Sequence, residues 1–250
     1  MHISEIINKK FDVKSFQVLE QKNTAQIKSK ERMKLEWNYK NVKTLFLKNL
    51  KTIIKKEFLQ NDDNLQKVDI IVNYLIRDDK FFQSPLLRLK EQSAPNFNKG
   101  LLLVGGVGTG KSSFLEAMSK TLDVHPFLRT TYHLSSDLVM EYEGLLEPLN
   151  KREFYNKYFN GRRIFDDLLR EKAASNFGKT NLIKELLASR YQNNKLTFAA
   201  INYDNQFPGD VEMALDKIGD KYEDFIYDRV FDIFNIVEFP GMSMRGKNVK

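Results

Sequence analysis

Gly105, Gly106, Val107, Gly108, Thr109, Gly110, Lys111 and Ser112 fit the phosphate-binding loop pattern G-x-x-x-x-G-K-[ST]. The chemistry this implies is the cradling of a nucleoside triphosphate. Glycines let backbone N–H groups close around phosphate oxygens, and the N-terminus of a following helix adds positive potential. Lys111 is expected to reach the β- and γ-phosphates, and the Ser112 hydroxyl to hold Mg²⁺. Ser113 is counted with the nucleotide-binding residues. Hydrolysis needs two further groups, an acid that fixes the metal and one that orients water. Residues 161–167, GRRIFDD, offer both at the end of a short strand. Asp166 is assigned to the Mg²⁺ shell, through water, and Asp167 to polarising the attacking water. The competing reading is a surface turn with two carboxylates.

Three more polar positions are candidates. Asn202 closes the apolar run LTFAAI, where a carboxamide can meet the γ-phosphate or the attacking water; as a turn-forming residue it can also simply end the strand. Arg229 lies in the apolar and acidic run YEDFIYDRVFDIF, and can pair with Asp228 or Asp232 or reach a neighbouring subunit's γ-phosphate. Arg245, in GMSMR, is a further phosphate contact.

These residues need elements to hold them. Leu101, Leu102, Leu103 and Val104 form a short continuous apolar run, as in a buried parallel strand, and Phe114, Leu115 and Met118 follow at helical spacing. Beyond the loop, strand-like runs (127–134, 162–166, 196–201, 236–239) alternate with helical ones (182–191, 211–218, 222–234). Such alternation predicts an α/β fold, a parallel sheet covered by helices on both faces. The metal-binding acid is expected on a strand neighbouring the loop strand. Before the loop, residues 24–58 are lysine-rich, with Val42, Leu45, Phe46, Leu50, Ile53, Ile54 and Phe58 in amphipathic register. The run NDDN at 61–64 breaks this helix and caps a second one, which carries Val68, Ile71, Val72, Leu75 and Ile76 and is placed to pack on the nucleotide domain. The stretch QSAPNFN at 92–98 reads as a linker. The division is therefore a helical, basic N-terminal region at 1–95 and an ATPase domain at 96–250.

Composition narrows the function classes. The 250 residues include no Cys, which excludes thiol catalysis and thiolate metal sites, and three scattered His in no metal-ligand spacing. There is no apolar run of membrane-spanning length and no signal-peptide core in the first residues, so a cytoplasmic protein without membrane contact is expected. Residues 1–95 carry 19 basic and 12 acidic side chains, the whole of the net charge of +7. The front region thus suits an acidic partner, nucleic acid or protein, as well as it suits a solvated lysine face.

With these residues assembled, the chain resembles the DnaC/IstB-like branch of the AAA+ ATPases, which includes bacterial and phage helicase loaders. The resemblance rests on YLIRDDKFF, KGLLLVGGVGTGKSS, FDDLLREKAASNFGKTNLIKELLASRY, LTFAAINYD and IGDKYEDFIYDRVFDIFNIVEFPGMSMR, in that order. It implies an AAA+ P-loop core with Asn202 as first sensor, Arg229 as trans-acting arginine finger and Arg245 as second sensor. It also implies ATP and Mg²⁺ as cofactors, a homo-oligomer when ATP is bound, a replicative DNA helicase as partner and single-stranded DNA in the oligomer channel. Phe154, Tyr155, Tyr158 and Phe159 are candidates for base stacking, with core packing the commoner role of such a stripe. Two departures stand out. Phe225 occupies a position where the family usually carries an arginine, and Arg162-Arg163 open the acidic motif in place of apolar residues. The alternatives are an IstB-like transposition ATPase, which binds duplex DNA and recruits a transposase, and a nucleotide-bound scaffold with little turnover.

Overall fold

The apolar run before the glycine loop is a strand buried along its whole length, β2 (Gly100–Gly105). It sits at the centre of the sheet in a computed structural model that describes residues 36–55, 57–89, 93–176, 178–241 and 243. Arg245 and the part of the basic segment before residue 36 lie outside the described residues. From Asn38 onward the described residues belong to one compact unit.

Two helices come first. α1 (Tyr39–Ile54) is capped by Asn38, whose side chain accepts from Asn41 N. α2 (Asp62–Ile76) is capped by Asn61 in the same way, with Asp62 and Asp63 in its first turn where the helix dipole favours them. β1 (Leu87–Arg88) precedes β2, which leads through the glycine loop into α3 (Lys111–Leu122). There follow β3 (Thr130–Leu134), α4 (Ser135–Glu143), α5 (Pro148–Phe159), β4 (Arg162–Asp166), a small hairpin of β5 (Ala174–Ser175) and β6 (Lys179–Thr180), α6 (Leu182–Gln192), β7 (Thr197–Asn202), α7 (Val211–Tyr222), α8 (Asp224–Ile233) and β8 (Phe234–Phe239).

The six-stranded sheet runs β1-β8-β2-β7-β4-β3, parallel except for the antiparallel edge pair β1 and β8. β7 therefore stands between the loop strand β2 and the acidic strand β4. The expectation that the metal-binding acid neighbours the loop strand is corrected by one strand, because the chain end that pairs with β2 on that side is the one carrying Asn202.

Side chains alternate across the sheet and fill two cores. Leu102, Val104, Phe165, Ala199, Ile201 and Ile236 face α4 to α8. On the other face Phe239 meets Phe114 of α3 at 5.2 Å, Phe114 meets Phe46 of α1 at 5.6 Å, and Phe198 meets Tyr74 of α2 at 5.9 Å between ring centroids. Tyr74 also donates to Lys99 O at 2.7 Å, so α2 is anchored at the start of β2. Residues 93–99 are held rather than slack: Asn235 on β8 accepts from Asn96 N at 3.0 Å and donates to Asn96 O at 2.9 Å.

Two local expectations change. The run at 127–134 begins its strand only at Thr130, after a 3₁₀ turn (Pro126–Leu128) that leaves Phe127 85% exposed. Phe154 and Tyr158 lie in the core, with Tyr155 and Phe159 packed against it, so the aromatic stripe of α5 serves packing and not base stacking. Among the described residues no helix is long and apolar enough to cross a membrane.

Candidate functional site

The site forms where β2, β4 and β7 end, the edge of an open parallel sheet at which ligands bind. The glycine loop needs its residue types for two different reasons. A Cβ on Gly105 would stand 2.3 Å from Phe239 O, so the close approach of β8 admits no side chain there. Gly108 has φ of +84° and lies under Ser243, whose Oγ would be 2.1 Å from an added Cβ. α3 starts directly behind the loop at Lys111, and its free N–H groups face the cradle.

Lys111 is buried. Its Nζ donates to Gly105 O at 2.7 Å, Gly106 O at 2.7 Å and Asn202 Oδ1 at 2.9 Å. Burial pushes its pKa down to about 8, against the opposing pull of Asp166 and Asp167. Asn202 in turn donates from Nδ2 to Asp167 Oδ1 at 3.0 Å. A carboxamide is suited to this position because it accepts on one side and donates on the other. Lys111, Asn202 and Asp167 thus form one chain of hydrogen bonds from the start of α3 through the end of β7 to the residue after β4. Asp167 is held in the left-handed region (φ 56°), with its carbonyl accepting from Ser135 Oγ at 2.9 Å and the next N–H donating to Ala200 O at 2.9 Å.

Asp166 is fully buried at the end of β4. Its Oδ2 accepts from Tyr132 OH at 2.5 Å, while Oδ1 has no partner among the described residues. A buried carboxylate oxygen without a partner is costly unless a cation or donor completes it. With the Ser112 hydroxyl lining the same cleft, the donor set fits a hard octahedral ion that takes its other ligands from phosphate and water. No group of three His, Cys, Asp or Glu side chains fit for a metal exists among the described residues, so the protein alone makes no complete cage.

The cleft has a volume of about 720 Å³ and is lined by Val107, Gly108, Gly110, Lys111, Ser112, Ser113, Asp166, Asp167 and Asn202. The residues singled out in the loop, the acidic pair and Asn202 are therefore brought together. Thr109 lies beneath the loop, its hydroxyl donating to Gly106 O at 3.0 Å. Arg229 does not join them. It sits on α8, its guanidinium 5.2 Å from the rings of both Tyr191 and Phe225, and donates to Phe225 O at 2.5 Å. Among the described residues it pairs with neither Asp228 nor Asp232.

Three contributions were missed in sequence. Tyr132 reaches Asp166 because β3 and β4 pair with Leu134 opposite Asp166, a register set by tertiary packing. Ile53, Ile54 and Leu59 make an apolar wall of the cleft, from the end of α1 and the connection to α2. Lys67 of α2 lines it too, and its signal was present: a lysine four residues before Ile71, on the apolar stripe.

No family model and no curated protein matches this sequence. Solved structures do match in shape. The chain is similar to the crystal structure of the DnaC helicase loader (TM-score 0.53, 19% identity), covering 76% of this chain and 95% of that one. It is similar to a putative primosome component from Streptococcus pyogenes serotype M3 (TM-score 0.51, 20% identity), covering 79% and 91%. The chain therefore has an AAA+ P-loop fold, the fold of the DnaC helicase loader.

Proposed function

We propose that the protein is an ATP-dependent helicase loader. It binds and hydrolyses ATP at the ends of β2, β4 and β7 and uses that cycle to engage a replicative helicase and single-stranded DNA. The observation that carries the nucleotide reading is the hydrogen-bonded line Lys111–Asn202–Asp167 in a cleft beside the glycine loop. Loop N–H groups and Lys111 bind the phosphates, Ser112 and Asp166 hold Mg²⁺, and Asp167, fixed by Asn202, orients water. Mg²⁺ held by these two residues would supply neutralisation of charge on the phosphoryl oxygens. Similarity of shape to a helicase loader over nearly all of that chain supports the loader reading.

Arg229 completes the site of the next subunit in an ATP-bound homo-oligomer, since it lies outside its own cleft. Arg245, the second sensor of the resembled family, adds a further phosphate contact. The basic front region, within residues 1–95, docks on the helicase, and residues 96–250 carry the ATPase. Affinity capture of the helicase from the native host tests this reading. Retention of a replicative helicase in ATP or a non-hydrolysable analogue supports it, and no retention in any nucleotide state removes it.

A second reading has one observation behind it. Phe225 stacks on Arg229 where the resembled family carries a second arginine. A nucleotide-bound scaffold with little turnover would tolerate that change. ATPase activity with and without DNA separates the two.

A further inference from the structure

Lys67 is a cation in a place that suits an apolar residue. It stands on the inward stripe of α2 between Asn64 and Ile71, with only 1% of its surface exposed. Its ammonium makes no ion pair and no hydrogen bond among the described residues. Its one described neighbour of note is the Phe239 ring, 5.7 Å from Nζ, near the outer limit of a cation–π contact. Among the described residues the one carboxylate acting on it is Asp63, one turn back, and burial outweighs that influence and lowers the lysine's pKa. Lys111, in the same cleft, is pushed down further by the Lys67 charge.

Two ammonium groups therefore share one cleft, and among the described residues the second has no ion-pair partner. A buried charge left unpaired is strongly unfavourable, and a weak ring contact offsets little of that cost. Lys67 lines the cleft from α2, together with Lys111, Asp166 and Asp167. Its Nζ lies beside Gly241, where an added Cβ would be 3.7 Å away, in the same C-terminal segment as Ser243, which covers Gly108. It therefore shares the cleft with the loop residues Gly108, Gly110 and Lys111.

We propose that Lys67 is a second phosphate-binding cation, contacting the phosphates of the nucleotide in cis from α2. The inference rests on the nucleotide reading of the cleft. It gives α2 a role in ligand binding besides packing: the nucleotide's negative charge holds this helix against the loop.

The test compares wild type, Lys67→Met, Lys67→Arg and Lys111→Ala by calorimetry with Mg·ATP, with thermal unfolding of each apo protein. Methionine keeps the length and apolar body of the side chain and removes its charge. Losing a charge-assisted hydrogen bond should weaken Mg·ATP binding by about 10- to 100-fold in Lys67→Met. The apo melting temperature should hold or rise, and arginine should recover most of the affinity. A structural role alone would lower the apo melting temperature and leave affinity in place. Wild-type affinity in Lys67→Met, with Lys111→Ala deficient, overturns this inference and spares the nucleotide reading. No heat from wild type removes both. Should Lys67→Met not fold, Lys67→Gln decides by the same titration: weakened Mg·ATP binding supports the proposal, and wild-type affinity overturns it.

Discussion

Asn202 Oδ1 accepts a 2.9 Å hydrogen bond from Lys111 Nζ. The same carboxamide donates to Asp167, so one side chain positions the phosphate-binding cation and the carboxylate assigned to water. Asn202→Ala should cut this line while leaving the loop N–H groups intact. ATP affinity should stay within a few fold, and phosphate release should fall about 10- to 100-fold, as expected for one charged hydrogen bond lost. Equal losses in affinity and turnover would reassign Asn202 to ground-state binding.

The depressed pKa of Lys111 predicts opposite pH trends for binding and stability. In the free protein Lys111 titrates near 8, against 10.5 for an ordinary lysine. Phosphate contact requires the ammonium, so Mg·ATP affinity should fall as pH rises through about 8. Between the two values the unfolded chain holds the extra proton, so this group makes the apo protein more stable with rising pH. Calorimetry and denaturant titration from neutral to alkaline pH read both. A flat affinity over that range would contradict the role of Lys111.

Arg229 rests on aromatic rings outside its own cleft. Arg229→Ala should leave Mg·ATP affinity nearly unchanged and reduce turnover by about 10³-fold or more, the usual worth of an arginine finger. Mixing it with Lys111→Ala protein should restore part of the activity, because each supplies what the other lacks. A loss of nucleotide affinity as severe as that of Lys111→Ala would show that the arginine does not act across a subunit boundary.

Phe114 ties the front helices to the sheet. Its ring meets Phe46 of α1, Phe58 and Phe239 of β8. Phe114→Ala should destabilise the fold by about 3–5 kcal/mol, the range for a buried aromatic truncated in a core. Urea unfolding measures it. A loss below about 1 kcal/mol would mean that α1 does not pack on α3 as described.

The loop and Asn202 could be read from sequence because each stands at the end of a buried strand that announces itself as an apolar run, and the acidic pair because its motif follows the loop. β4 matched its expected limits of Arg162 and Asp166 although only two of its residues are apolar, since the motif ended it. What sequence did not carry was register and approach. Tyr132 finds Asp166 through the pairing of β3 with β4, and Lys67 lines the cleft because α2 packs on the sheet, with Tyr74 against Phe198. Strand order has the same character: nothing local in LTFAAIN states that it inserts between the loop strand and the acidic strand. The edge strand β1 was missed because two residues have no period to detect, and its partner β8 supplies the pairing.

Titration calorimetry with Mg·ATP on the wild-type protein and Lys111→Ala is the most direct measurement. A saturable heat with wild type that vanishes with Lys111→Ala is the predicted result. An absence of heat with wild type, or equal binding by both, would contradict the assignment of this cleft to a nucleotide.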